Sequence, residues 1–434
     1  MNTRFAKGAL IALRPRRLAA LLLMALLSAP PSYAQVLSPA RAEDAGLSSE
    51  RLQRLSAALR SYVKEDKLAG GVVLVARRGK VVHFEAFGHR DREAGSPMRE
   101  DTIFRIASQT KAVVSVAVMM LQEEGKLLIS DPVSKYLPEF RETTVAMPKS
   151  EGGYEIVKAK RAITIRDLLT HTAGIGYGQG VAGDRWKAAG VTGWYFADRD
   201  EPVGATIKRM ASLPFDAHPG ERWVYGYATD ILGALIERVS GETLDEFIRS
   251  RILAPLGMKD THFYLPESKR ERFAVVYSAK ASGGIERAAD PGGMIGQGAY
   301  ANGPSKSFSG GAGLLSTAAD YWRFLQMLLN GGELEGRRIL SRKTVELMTV
   351  NHLNGTAFRE GVGFGLGFYV VENLGARGLP GSVGEYGWGG AYHSTYWVDP
   401  KEQLVVVYFT QLIPAGGLDD HTKLRALVYQ AIVE

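Results

Sequence analysis

Ser108 and Lys111 stand three residues apart at the head of residues 112–121, a run that is apolar almost all round. Such a run reads as a helix buried on every side, and Gly125 is well placed to stop it. Positions three apart share a helix face, so the amine reaches the hydroxyl. The hydroxyl sits at the positive end of the helix dipole, where a developing alkoxide is favoured. Burial disfavours a charged amine, and a neutral amine accepts a proton. The pair therefore has the makings of a nucleophile and its base. The plainer reading is a helix cap at Ser108 and a lysine that snorkels to the surface. A chain this long should hold about one Ser-x-x-Lys by chance.

The elements around that helix set its context. Residues 49–64 form an amphipathic helix, capped by Ser48 or Ser49, with Leu52, Leu55, Leu59 and Val63 on one face. Residues 71–76 read as a buried strand, Arg78-Gly79 as a turn and residues 81–87 as a second strand of a hairpin. From about 131 to 297 helical stretches, clearest at 165–169 and 231–239, alternate with Gly-rich and aromatic loops. The charged stretch 149–161 reads as an exposed loop. Residues 317–329 are helical, strands return at 364–371, 392–398 and 404–410, and a helix over 419–433 closes the chain. Strands at both ends with helices between them predict an α+β fold. One antiparallel sheet is flanked by N- and C-terminal helices, and a mostly helical lobe is inserted at about 130–305. The α/β part spans about 45–125 and 310–434.

At 434 residues the chain can bury a large core. Residues 1–34 read as a secretory signal peptide. Arg4, Lys7, Arg14, Arg16 and Arg17 make the basic region, 18–27 the apolar one, and Ser32-Tyr33-Ala34 the small residues of a cleavage site. The apolar stretch is too short for a membrane span. A periplasmic or secreted protein with no membrane anchor after cleavage is the expectation. Taking the five basic residues of the leader from the 53 present leaves 48 against 46 acidic ones, a net of +2 instead of +7. Nothing there calls for a nucleic-acid partner. The absence of cysteine excludes disulfides, a thiolate nucleophile and Cys-ligated metal. No histidine pair has the spacing of a metal motif, so neither metal nor cofactor is expected. The absence of Gly-x-Ser-x-Gly argues against an α/β-hydrolase.

Six segments follow one another in order. They are Phe104-Arg105-Ile106-Ala107-Ser108-Gln109-Thr110-Lys111, Asp131-Pro132-Val133-Ser134, Leu168-Leu169-Thr170-His171-Thr172-Ala173-Gly174, Pro219-Gly220-Glu221-Arg222-Trp223-Val224-Tyr225, Gly310-Gly311-Ala312-Gly313-Leu314-Leu315, and Gly387-Trp388-Gly389-Gly390. This order and spacing resembles the serine hydrolases of the class C β-lactamase fold, a superfamily that includes DD-peptidases, and above all their family VIII carboxylesterase branch. The resemblance runs from about residue 45 to the C-terminus. It implies that Ser108 is the acylated nucleophile, Lys111 its base, and Tyr225 the tyrosine that relays a proton to the leaving group. Tyr227 is the alternative to Tyr225 and a candidate substrate contact.

Two departures from the β-lactamase pattern carry meaning. Tyr225-Gly226-Tyr227 lacks the asparagine that grips an acylamino side chain. Trp388-Gly389-Gly390 lacks the cation that would pair with a substrate carboxylate, offering instead an apolar wall and one N–H donor. Both imply small neutral acyl esters as substrates. Gly389 and Gly390 let the backbone approach the acyl carbonyl, and an oxyanion hole is expected from the N–H of Ser108 and one near Ala391. A bulge or turn in an edge strand is the plainer explanation of those glycines. His171 is expected to fix a turn, and His393 could touch substrate. Trp186, Trp194, Tyr195, Phe196 and Trp223 are core residues by default, some of them candidates to line an acyl pocket. The other readings are a β-lactamase or D-amino-acid peptidase, and a non-catalytic binding protein that keeps the fold.

Overall fold

The computed structural model describes residues 1–3 and 39–434, and Pro39–Glu434 forms one compact unit. The leader read in residues 1–34 lies outside the described residues. Helix α1 (Ser49–Lys64) starts at Ser48, whose side chain accepts from the N–H of Arg51. It buries Leu52, Leu55, Leu59 and Tyr62, with Val63 half-buried at the edge. Strands β1 (Gly70–Arg77), β2 (Lys80–Asp91) and β3 (Ser96–Pro97) follow, then helix α2 (Thr110–Glu123). Gly125 ends α2 in the left-handed conformation, at φ +69. Helix α3 (Ala228–Ser240) is the longest of the middle region, and α4 (Ala318–Leu329) is capped by Thr317. Strands β4 (Val362–Phe364), β5 (Tyr369–Val371), β6 (Tyr386–Gly390), β7 (Ser394–Asp399) and β8 (Leu404–Thr410) precede the last helix, α5 (Asp420–Tyr429).

The strands form one sheet in the order β4-β5-β6-β7-β8-β1-β2-β3, antiparallel throughout. β1 pairs with β8, Val73 opposite Tyr408 and Leu74 opposite Val407, so the two ends of the chain meet at the centre. Both strands are buried along their whole length, which is why their apolar runs do not alternate with polar residues. On one face Val73, Val75, Val406, Tyr408 and Trp397 pack with α1 and with Leu424 and Val428 of α5. On the other, Tyr321 of α4 meets the rings of Tyr396 and Phe409, with centroids 5.1 and 5.8 Å apart.

Three expectations change. The single strand expected over 364–371 is the hairpin β4–β5, because the chain turns at Gly365-Leu366-Gly367 and Gly365 N–H bonds Phe368 O at 2.8 Å. The stretch 149–161 is no simple loop. Tyr154–Lys158 pairs with Thr144–Pro148, Ile156 opposite Ala146 and Val157 opposite Val145, so its β-branched residues outweigh the flanking charges. β7 begins at Ser394, two residues later than expected, because Ala391 to His393 form the turn from β6 and His393 has φ +62.

Candidate active site

Ser108 lies in a 3₁₀ turn, Ala107–Gln109, that leads directly into α2. Ala107 ahead of it has φ +41, a conformation that costs an alanine about 1–3 kcal/mol. The surroundings hold it there. Ile106 N–H donates to Leu314 O at 3.1 Å, Tyr321 Oη donates to Gln109 O at 2.9 Å, and Leu314 N–H donates to Thr110 Oγ1 at 3.0 Å. Arg105, fully buried, clamps the approach by donating to the carbonyls of Gln297 and Ala274 at 2.8 and 2.6 Å.

Lys111, 2 % exposed, lies in the first turn of α2. Its Nζ is 3.2 Å from Ser108 Oγ, 3.2 Å from Tyr177 Oη and 2.7 Å from the carbonyl of Gly311. Three acceptors match the three N–H bonds of an ammonium. A neutral amine fits as well, giving two bonds and accepting the Ser108 proton. Helix α3 supports this arrangement through Asp230, which is buried and accepts from Ser309 Oγ at 2.6 Å and from Gly311 N–H at 3.0 Å. Burial pushes the Asp230 carboxyl up, against the pull of Ser309 and the Lys111 charge.

Tyr177 and Tyr225 come from two loops that Gly226 allows to touch. A Cβ on Gly226 would stand 2.2 Å from Ile175 O and 2.5 Å from the carbonyl carbon of Gly176. Burial, and then the neighbouring Tyr225 and the Asp230 carboxyl, hold the Tyr177 phenol well above the usual tyrosine range. The Tyr225 ring lies under the ammonium, with Nζ 4.6 Å from its centroid, and its Oη accepts from Trp388 Nε1 at 3.0 Å. The indole N–H thus fixes the tyrosine. His171 packs against Tyr225 at 4.8 Å, and burial, then the Lys111 charge, pull its pKa well below the usual value.

Segment 388–391 ends β6 beside the serine turn. A Cβ on Gly390 would lie 2.5 Å from Ile106 O and 2.7 Å from Ser394 Oγ, so only glycine lets this strand approach Ser108 so closely. Ser108, Tyr177, Tyr225, Trp388, Gly389, Gly390 and Ala391 line one cavity of about 560 Å³, whose rim includes Trp194 and Arg359. Tyr177 and Tyr225 also wall a neighbouring cavity of about 580 Å³ that reaches Trp223.

The structure brings the expected site residues together with one exception. Tyr227 is fully buried, donates to Gly193 O at 2.6 Å and stacks on Trp186. It backs Tyr177, ring centroids 5.0 Å apart, and does not line the Ser108 cavity. As the residue that precedes α3 it turns inward, while Tyr225 in the loop faces the cavity. Among the aromatic residues singled out, Trp186, Tyr195 and Phe196 are core, whereas Trp194 and Trp223 wall the cavities. His393 lines the Ser108 cavity and His171 does not.

Three residues went unnoticed in the sequence. Tyr177 stands between Gly176 and Gly178, and Asp230 is a lone carboxylate entering an apolar helix; both are local signals. His421 joins His393 only through the fold, their rings stacked at 4.2 Å. The pair lacks the spacing of a metal motif, being 28 residues apart in sequence, and only the fold sets the two rings side by side.

The chain matches known proteins along most of its length. It is 35 % identical to Esterase EstB of Burkholderia gladioli over 395 residues, 87 % of this chain and 94 % of that protein. It is 29 % identical to a lovastatin esterase of Penicillium rubens over 388 residues, 81 % of this chain and 91 % of that one. The solved structure of EstCE1, a hydrolase with promiscuous acyltransferase activity, superposes with a TM-score of 0.75 at 28 % identity, covering 87 % of this chain and 98 % of the other. The sequence pattern of the beta-lactamase family matches residues 55–430. With that match spanning the sheet, the serine turn and the tryptophan-glycine strand, the chain belongs to the beta-lactamase family.

Proposed function

We propose that the protein is a serine carboxylesterase that hydrolyses small neutral acyl esters through an acyl-enzyme on Ser108. The observation that carries this reading is Lys111 Nζ at 3.2 Å from Ser108 Oγ, in a cavity whose wall is Trp388. Lys111, donating to Gly311 O and Tyr177 Oη, accepts the Ser108 proton as Oγ attacks the ester carbonyl. The C–O bond to Ser108 forms, and backbone N–H groups at Ser108 and Ala391 take the oxyanion. The bond to the alcohol then breaks, and the proton returns to the alkoxide along Lys111, Tyr177 and Tyr225. Water repeats the sequence on the acyl-enzyme, releasing the acid and restoring Ser108. The esterase relatives and the missing carboxylate-binding cation of the third motif support neutral esters. The leader at 1–34 supports export to the periplasm or beyond.

A fluorophosphonate probe tests the chemistry: mass spectrometry should find one adduct, on Ser108. No adduct, or an adduct elsewhere, would overturn the reading and favour a non-catalytic binder. Two further outcomes are expected with p-nitrophenyl butyrate. Tyr225→Phe should lower kcat by about 10²–10⁴-fold with KM little changed, because it removes a proton carrier and not a binding contact. Gly390→Ala should lower kcat/KM by about 10²-fold, since its Cβ pushes the strand away from Ser108, and misplacements near 1 Å cost about that much.

A second reading has one observation in its favour. Arg359, exposed at the rim, holds its guanidinium 5.3 Å from the Trp388 ring and so puts a cation near the cavity. That charge suits the carboxylate of a β-lactam or of a peptide terminus. Comparing kcat/KM for nitrocefin and p-nitrophenyl butyrate separates the two, and a strong preference for nitrocefin would establish the β-lactamase or peptidase reading.

A further inference from the structure

The turn between β6 and β7 brings His393 against the first two residues of α5, Asp420 and His421, on the wall of the Ser108 cavity. Asp420 is fully buried, and His393 Nε2 lies 2.7 Å from its Oδ1. The two imidazoles stack at 4.2 Å and 17°. One ring nitrogen from each histidine and one Asp420 oxygen all lie within 4.8 Å of one another. We propose that His393, Asp420 and His421 bind a divalent ion of the zinc class.

The donor set is the first argument. Two imidazoles and one carboxylate suit zinc, nickel or copper, whereas magnesium and calcium take mainly oxygen. The surroundings are the second. A ligating histidine usually gives its other ring N–H to a carbonyl or carboxylate, which fixes its tautomer. His421 Nε2 lies 3.3 Å from His393 O, which leaves Nδ1 as its ligand atom. Asp420 Oδ2 accepts from Tyr408 Oη at 3.0 Å, which leaves Oδ1. His393 offers Nε2, the nitrogen that faces Asp420 Oδ1, in the tautomer that carries its proton on Nδ1, so the ion takes the place of the hydrogen bond between the two side chains.

Distance is the third. Atoms spaced by 4.8 Å or less surround a point at most about 2.8 Å from each. Bonds of about 2.0–2.2 Å therefore require each ligand atom to close by less than about 1 Å, with the stacked rings turning so that both lone pairs meet at the ion. The positive end of α5 opposes a cation, and the Asp420 carboxylate offsets it. Both histidines face the cavity, so the remaining coordination position opens to water or to an anionic group of a bound molecule.

The test is Zn²⁺ titration of tag-free full-length protein by calorimetry, with Co²⁺ as a spectroscopic substitute. It needs no ester and stands or falls apart from the esterase reading. We expect one saturable site per chain with micromolar affinity, and a visible Co²⁺ spectrum that Zn²⁺ erases. His421→Ala and His393→Gly should each weaken binding at least tenfold, the glycine keeping the left-handed backbone at 393. Thermal unfolding in chelator shows whether each variant is folded. If one is not, the other variant and the Co²⁺ spectrum of the unaltered protein decide. Absence of saturable binding, or binding that survives both substitutions, would overturn the proposal.

Discussion

Ser108→Ala is expected to lower kcat for p-nitrophenyl butyrate by at least about 10³-fold, and combining it with Lys111→Ala to cost little more. Residues that act as one unit lose their effect together, so the double variant should resemble the single ones. The geometry explains why. Lys111 is fully enclosed, and its Nζ reaches Ser108, Tyr177 and Gly311 O. Without the hydroxyl the amine has no proton to take. Without the amine the hydroxyl has no base within reach. If the losses multiplied, or if Ser108→Ala kept a tenth of the activity, the pair would not be the nucleophile and its base. Lys111→Met carries a second readout. A buried amine costs desolvation energy that a methionine of similar length does not. The variant should be as stable as the parent or more so while activity falls, the usual mark of a residue kept for function.

The closeness of that pair was legible because it is local, set by helical spacing at the head of an apolar run, whereas the roles of the two residues came from the resemblance. The central strands β1 and β8 were legible for a similar reason, since burial on both faces leaves an uninterrupted apolar sequence. Tyr225 and Trp388 could be named only by resemblance. Their contact, Nε1 to Oη at 3.0 Å, joins residues 163 apart that no periodicity connects. Tyr227 was misplaced because two neighbouring aromatic residues at a helix start look alike in sequence. Only the entry into α3 decides which of them faces the cavity. Asp230 was hidden for the opposite reason. It never meets Ser108 and acts through the backbone of Gly311, a role that residue type alone does not announce.

Glu385→Ala is expected to destabilise the protein by about 3–5 kcal/mol, because it leaves buried cations without their partner. Glu385 is fully buried and accepts from Arg425 at 2.7 and 2.8 Å, Arg377 at 3.0 Å, Tyr369 Oη at 2.9 Å and Tyr429 Oη at 2.8 Å. These partners come from α5, from β5 and from the segment before β6, so one carboxylate ties the last helix to the far side of the sheet. At about 2.1 cal/mol/K of unfolding entropy per residue, the loss should lower Tm by about 4–6 °C for a unit of this size. Arg425→Ala should cost a comparable amount. The double variant should cost less than the sum of the two, since each single change strands the other's charge. Trp388 lies three residues beyond Glu385 on β6, so kcat/KM should fall in Glu385→Ala even at temperatures where the protein remains folded. A Tm within 1 °C of the parent would mean that water enters and solvates the arginines, and that β6 is held in place by its ladders with β5 and β7.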